Sequence, residues 1–585
     1  MRKTFQGIPV SPGVAIGKAL VLHSEDFFST PKAEIPSDDI PKEIVRFEEA
    51  LTKTRSELVN VRKKIATELG HEHSDIFSAH LLILEDRTLI EDVLSKIKQE
   101  SVSAEYAFSM VIQRYFHAFA QINDEYLKER VSDIKDVGRR VLQNLLGKEK
   151  DLLVHLREKV IVIAHDLSPS ETAMMDRENV IAFATDIGGP TSHTAIMARS
   201  LEIPAVVGLD HVSQEVTSGE QLIIDGNRGT VIVAPDPATI DHYTHEEERF
   251  IELISELDKL KSLFAETLDG HRIQLVANIE FPDEIPSVIA HGAGGIGLYR
   301  TEYFYMNRTD LPTEEEQFQQ YRSVAEQLAP NPVVIRTLDL GGDKFLSSLE
   351  LPSEMNPFMG WRAIRFCLTR VDIFKVQLRA ILRASVYGNL KLMYPLITNV
   401  VELRQANRIL EEVKKELRAA NIHFDEKLEV GAMIEIPSAA LTSDTLAREV
   451  SFFSIGTNDL IQYSLAVDRV NPKIAYLYEP THPAILKLIQ YVIQSAKKTK
   501  IWVSVCGEMA GDPAMTLLLV GLGINQLSMS PFALPKVKKV VRSVTMKQAQ
   551  ELAGRALEFT TGDEIKQFAN AKLKAIAPEL FESGT

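Results

Sequence analysis

Cysteine is nearly absent: Cys367 and Cys506 are the only two in 585 residues. Two thiols cannot build a disulfide framework, so the chain reads as one made for a reducing compartment, the cytoplasm. Also missing is any apolar run near the ~20 residues of a membrane span. The opening stretch MRKTFQGIPVSPG lacks the apolar core of a secretory signal, and no membrane insertion is expected. Basic residues are in deficit, 65 Lys and Arg against 81 Asp and Glu, for a net charge of −16. That balance argues against nucleic-acid binding, which needs excess cations to displace counterions from phosphates. No His/Cys cluster has zinc spacing, since His71 and His73 have no second pair behind them. The glycines of HGAGGIG follow a helical stretch and precede a strand, the reverse of the dinucleotide-binding order.

What is present suits a large globular chain. The composition, 45% hydrophobic and 25% charged, supports a normal core. The length predicts about three or four domains. From Phe47 the apolar positions Phe47, Leu51, Leu58, Val61, Ile65 and Leu69 fall at helical spacing. Further helical patterns run from Leu89 through Val93 and Ile97, and from Tyr106 to about Ala120. Residues 30–148 therefore read as a helical bundle. It carries an acidic patch of Glu68, Glu72, Asp75, Glu85, Asp86, Glu91 and Asp92, with Arg87 the main local opposing charge. Such a patch is either a solvated face or a dock for a basic protein. Short β-like runs flank the bundle: GIPVSPGVAIGKALVL before it, then VIVIAHDL, NVIAFAT, IPAVVGL and QLIIDGNRGTVIVA. Residues 1–29 and 149–233 thus form one α/β domain into which the bundle is inserted. The charged, proline-opened stretch 234–268 reads as a helical linker.

From 269 to 585 a different rhythm begins. Strand-length runs at Gln274–Ala277, Gly295–Tyr299, Val333–Thr337, Lys391–Pro395, Gly431–Ile434, Phe452–Ile455, Trp502–Val505 and Gln526–Met529 alternate with helical stretches. The latter include Glu314–Leu328, Trp361–Ser385, Val401–Ala419 and Pro483–Lys497. Eight such units predict a (β/α)8 barrel, with an open doubly wound sheet as the competitor.

Polar residues collect where those strands end. Arg300 closes GIGLYR, Arg336 closes VVIR, Glu435 follows GAMI, Asn458 and Asp459 follow FFSIGT, and Cys506 follows WVSV. Strand C-termini of a parallel barrel converge on one face, so residues distant in sequence would meet there. Any one of these could be a paired core charge or an inert thiol. Their recurrence at one structural place points to a small polyanion held with a divalent cation. Arginine forks match phosphate or carboxylate oxygens two at a time. Glu435 and Asp459 can each give Mg2+ an oxygen, and a thiol can pass a proton to carbon. Arg469, in SLAVDRVNP, is open to a plain surface-loop reading.

A second candidate site is the turn GGPTSHTAIMARS. Gly188 and Gly189 permit a tight turn, and Thr191 or Ser192 can cap the helix that follows. His193 then falls in the first turn, where amide N–H groups would stabilise a phosphoryl group on its ring. The competing reading is a capped core helix that happens to hold a histidine. No second metal ligand stands nearby, and phosphoryl carriage is preferred.

Together GGPTSHTAIMARSLEIPAVVG, GLYRTE, RTLDLGGDK, NPFMGWRAIR, GTNDLIQYSLAVDR and CGEMAGD resemble enzyme I of the bacterial phosphoenolpyruvate:sugar phosphotransferase system, over nearly the whole chain. The resemblance implies a swivelling phosphohistidine domain, an inserted domain that docks the phosphocarrier protein HPr, and a barrel that binds phosphoenolpyruvate and forms a homodimer. It also implies phosphorylation at His193, substrate held by Arg300, Arg336, Arg469, Asn458 and Asp459, Mg2+ on Glu435 and Asp459, and protonation of the enolate by Cys506. Pro190 departs from the pattern, because many members place a basic residue there. Dikinase-type relatives need an ATP-grasp domain, for which the ~110-residue insertion is too short. A sensor that binds phosphoenolpyruvate without turnover would not need His193, Glu435, Asp459 and Cys506 together. No amino-terminal sensor domain precedes the first strands, which favours the general enzyme over a nitrogen-regulatory one.

Overall fold

The computed structural model describes the chain apart from residues 1, 23–29, 69–76, 78–79, 121–124, 148–155, 157, 168–170, 173–174, 176–178, 190–193, 196–197, 199–202, 306–309, 342–353, 355, 470, 472 and 583–585. The candidate His193, with Pro190, Thr191 and Ser192, lies outside the described residues, as do Glu72 and Asp75 of the acidic patch. The chain divides into two compact units, Met1–Glu252 with Ser583–Thr585, and Leu253–Glu582. The helix Pro237–Leu260 spans the division.

The first unit holds an eight-stranded sheet and a helical bundle. Strands β1 (Lys3–Gln6), β2 (Ile8–Ser11), β3 (Val14–Leu22), β4 (Val160–Ala164), β5 (Val180–Thr185), β6 (Ala205–Val207), β7 (Gln221–Asp225) and β8 (Thr230–Val233) lie in the order β1-β8-β7-β3-β4-β5-β6-β2. Strands β3, β4, β5 and β6 pair in parallel, and the others add antiparallel. Between β3 and β4 come four long helices, Ile40–Glu68, Arg87–Glu100, Ala104–Ala120 and Glu125–Leu146. They share a core of their own, including Phe47, Leu58, Val93, Ile97, Phe108, Val137 and Leu142. Side chains from elsewhere in the bundle reach the acidic patch. Arg55 binds Glu85 (2.7 Å) and Arg114 binds Asp92, while Asp86 caps its own helix by accepting from the Leu89 amide (2.9 Å). Helix packing thus brings Arg55 and Arg114, distant in sequence, to these carboxylates in addition to the local Arg87.

The second unit is a closed parallel barrel of β9 (Gln274–Ile279), β10 (Ile296–Arg300), β11 (Pro332–Arg336), β12 (Asn389–Tyr394), β13 (Glu429–Ile434), β14 (Phe452–Ile455), β15 (Trp502–Val505) and β16 (Gln526–Met529). Pairing of β16 with β9 closes it, which removes the open-sheet alternative. Leu298, Val334, Met393, Met433, Phe452 and Cys506 pack inside, with Phe452 stacked on Trp502 at 4.3 Å. This filled interior leaves the strand C-termini as a mouth. The predicted helix Trp361–Ser385 is two helices, Ala363–Thr369 and Val371–Ala384, broken at Arg370, whose backbone (φ −100°, ψ 63°) is not helical.

Candidate active site at the barrel mouth

The structure brings most of the predicted residues to this mouth, and the reason is register. Arg300 and Arg336 are paired at the ends of β10 and β11, so their side chains leave the sheet side by side. Glu435 directly follows β13 on the neighbouring side of the ring. After β14 the chain turns at once into the helix Thr457–Leu465, which sets Asn458 and Asp459 in its first turn. Cys506 directly follows β15. Arg469 is exposed in a turn beyond that helix, its amide 3.5 Å from Gln462 Oε1.

Ion pairs knit these ends together. Arg300 donates to Glu280, and Arg336 donates to Glu302 while its other Nη lies 3.0 Å from Asp339. Asp339 bridges onward, 2.9 Å from Arg362 Nη2, and the same nitrogen lies 3.8 Å from Asp459. Burial opposes the charge on Arg336 and Arg362, but their carboxylate partners outweigh it and raise both pKa values. Glu435 is 2% exposed and accepts from the Leu396 amide (2.6 Å). Burial, then Asp459 and Asp339, push its carboxyl up to about 8, against the pull of Arg336. Among the described residues, five carboxyl groups (Glu280, Glu302, Asp339, Glu435 and Asp459) stand with three guanidiniums. A buried carboxyl such as Glu435 is costly to ionise unless cationic groups offset it. The donor set of Glu435 and Asp459 fits Mg2+, which takes one or two carboxylates and leaves its remaining positions to water and substrate.

The thiol lies under this charge cluster. Cys506 is 2% exposed, with Sγ 3.6 Å from the Ile455 carbonyl. Burial pushes it up to about 11 and Glu435 adds to the rise, while the neighbouring Ser454, Arg336 and Arg300 pull it down. It is therefore a protonated thiol near neutrality, suited to giving a proton.

On the rim, Asn458 and Glu508 hold each other. Asn458 Nδ2 donates to Glu508 Oε1 (3.1 Å), and the Glu508 amide donates to Asn458 Oδ1 (2.9 Å). This needs Gly507 between the loops, because an added Cβ would lie 2.0 Å from Thr457 Oγ1 and 2.9 Å from Asn458 Oδ1. Gly507→Ala is expected to destabilise the barrel by about 1–3 kcal/mol and to weaken substrate binding by displacing Asn458. Calorimetry and a KM measurement check this; an unshifted melting temperature would refute the close-approach argument.

Sequence reasoning left out Arg362, Asp339, Glu302 and Glu280. Glu280 directly follows β9, whose end the sequence reading places at Ala277, while Glu302, Asp339 and Arg362 lie in loops beyond the strand ends that were the signal followed. Two clues were available: Asp339 sits three residues after Arg336 in RTLDLGGD, and Arg362 lies within NPFMGWRAIR. Gly341, at φ +127°, lets the loop pass against Arg362, whose Cβ would be 2.2 Å from any added Cβ.

Comparison with known proteins identifies the family of the chain. Residues 255–546 match "PEP-utilising enzyme, PEP-binding domain", residues 6–130 "PEP-utilising enzyme, N-terminal", and residues 156–229 "PEP-utilising enzyme, mobile domain". Phosphoenolpyruvate-protein phosphotransferase of Priestia megaterium is 46% identical over 571 residues, 98% of this chain and 99% of that protein. The enzyme of the same name from Staphylococcus carnosus is 45% identical over 97% of this chain and 98% of its own. A solution NMR structure of Enzyme I (nEIt) is 46% identical, spans 42% of this chain and 99% of its own, and has a TM-score of 0.37. At such identity over nearly the full length, this chain belongs to the phosphoenolpyruvate-protein phosphotransferase family.

Proposed function

We propose that this chain takes the phosphoryl group of phosphoenolpyruvate onto His193, releases pyruvate, and passes the group to HPr as the first step of the sugar phosphotransferase system. The observation that carries the reading is the mouth itself: guanidiniums, clustered carboxylates and a protonated thiol at converging strand ends. Arg300, Arg336 and Arg362 hold the substrate's phosphate and carboxylate, with Asn458 and Arg469 closing the rim. Glu435 and Asp459 would hold Mg2+, which when bound supplies positive charge to the phosphate oxygens.

The imidazole of His193 attacks phosphorus in line, and the bond from phosphorus to the enol oxygen breaks. The arginines spread the charge left on both fragments. As the enolate collapses to a carbonyl, its methylene carbon takes the proton of Cys506, and solvent later returns one to the thiolate. The domain bearing His193 swivels between the barrel and the helical insertion, which docks HPr. There Leu82, 73% exposed, stands close in sequence to Glu85 and Glu91. The chain works in the cytoplasm as a homodimer joined through the barrel; no described helix is long and apolar enough to cross a membrane.

Intact mass spectrometry with phosphoenolpyruvate and Mg2+ tests the reading. The expected result is a gain of one phosphoryl group, mapped to the His193 peptide and lost when HPr is added. No gain, a different site, or retention in the presence of HPr would overturn it.

A further inference from the structure

Arg362 does not ride on a barrel strand. It lies between a single tight turn, Pro357–Met359, and the helix Ala363–Thr369, so contacts of a loop decide where its guanidinium points. The path of that loop is strained. Ala363, the next residue, takes a φ of 51°, left-handed backbone that a side chain with a Cβ rarely adopts. Such a conformation persists only where the surroundings hold it.

Three consecutive carbonyls of the turn are bound, and from two directions. Within the loop, Arg365 Nη1 donates to the Met359 oxygen (2.8 Å) and to the Gly360 oxygen (3.1 Å). The Phe358 carbonyl instead accepts from the hydroxyl of Tyr463 (2.5 Å), which belongs to the helix Thr457–Leu465. The same hydroxyl accepts from Arg362 Nη1 at 3.4 Å. A phenol can donate and accept together, so one oxygen pins both the turn and the arginine. Tyr463 lies one helical turn beyond Asp459, which sets the two side chains on one face. Both reach the same guanidinium, Asp459 at 3.8 Å from Nη2 and Tyr463 at Nη1. Asp339 holds Nη2 more closely, at 2.9 Å, while Nε has no hydrogen-bond partner among the described residues. Without the phenol oxygen, the fork would be free to pivot about its Nη2 contact.

We propose that Tyr463 is a positioning residue for phosphoenolpyruvate binding: its hydroxyl fixes the plane of the Arg362 guanidinium and ties it to the helix that carries Asn458 and Asp459. A planar fork matches phosphate or carboxylate oxygens only when its plane is set, so orientation is what the hydroxyl supplies. No bond is made or broken at the phenol oxygen. This inference rests on the assignment of Arg362 to the substrate given above.

Tyr463→Phe removes one oxygen and keeps the ring. In the full-length protein, KM for phosphoenolpyruvate is expected to rise about fivefold to tenfold, the scale of one hydrogen bond. The turnover number should stay within about twofold of wild type, the pattern of lost binding rather than lost chemistry. In an Arg362→Ala background the same substitution is expected to add less than about twofold, because no guanidinium is left to orient. A tyrosine that merely braces its helix would raise KM by the same factor in both backgrounds. That outcome, or an unchanged KM in Tyr463→Phe, would overturn the proposal. If Arg362→Ala alone leaves KM unmoved, the assignment of Arg362 to the substrate is what falls.

Discussion

Cys506→Ala is expected to slow pyruvate release by about a hundredfold or more, the range contributed by a positioned general acid. Phosphoryl passage from phosphorylated enzyme to HPr should stay within about twofold of wild type. The asymmetry follows from where the thiol stands. It follows β15 at the barrel mouth, packed with Leu298, Met393 and Met433, and on the function proposed above it takes no part in the passage to HPr. Burial keeps it at about 11, so at neutral pH the proton is in place to be given. Cys506→Ser separates acidity from shape, because the hydroxyl fills nearly the same space yet parts with its proton far less readily. The serine variant should be about as slow as the alanine one. Rapid-quench measurement of each half-reaction checks this. Equal damage to both halves, or a serine variant near wild type, would remove Cys506 from the proton-transfer step.

Much of the barrel was legible because its strands are short apolar runs between turn residues. Phe452–Ile455, Trp502–Val505 and Gln526–Met529 fall where the sequence places them, as does the helix Glu314–Leu328. That helix begins at a reciprocal cap, with Thr313 accepting from the Glu316 amide and Glu316 from the Thr313 amide. The helix Glu125–Leu146 was not anticipated, because its buried Ile134, Val137, Val141 and Leu142 are diluted by many charges. The break at Arg370 leaves no proline or glycine mark in the sequence. At the site, the strand-end rule finds Arg300, Arg336, Glu435 and Cys506, since strand order alone sets their positions. It does not find Arg362 and Asp339, which reach the mouth through loop geometry that periodicity cannot encode. The pairing of Arg55 with Glu85 and Arg114 with Asp92 is likewise tertiary. Charge counted along the chain therefore overstates how bare the acidic patch is.

Glu435→Gln should make the metal-free protein more stable and the enzyme nearly inactive. The wild-type carboxyl is raised from 4.5 to about 8, first by burial and then by Asp459 and Asp339. The folded state therefore holds a proton that the unfolded chain has already released between about pH 4.5 and 8. Where the folded form binds more protons, stability falls as pH rises, so this glutamate costs most above about pH 8 and nothing below about pH 4.5. Glutamine keeps an oxygen for the Leu396 amide and carries no charge, so its melting temperature should exceed that of wild type, by the widest margin at alkaline pH. Adding Mg2+ should narrow the gap from the wild-type side, since only the carboxylate gains from the cation. Turnover should meanwhile drop by about a hundredfold or more, as expected when a charge that organises phosphoryl transfer is removed. Thermal melts from pH 6 to 9, with and without Mg2+, check the stability arm, and steady-state kinetics check the other. A variant no more stable than wild type at pH 9 would mean that the carboxylate is already compensated within the protein. The negative charge of the mouth would then be no argument for a cation.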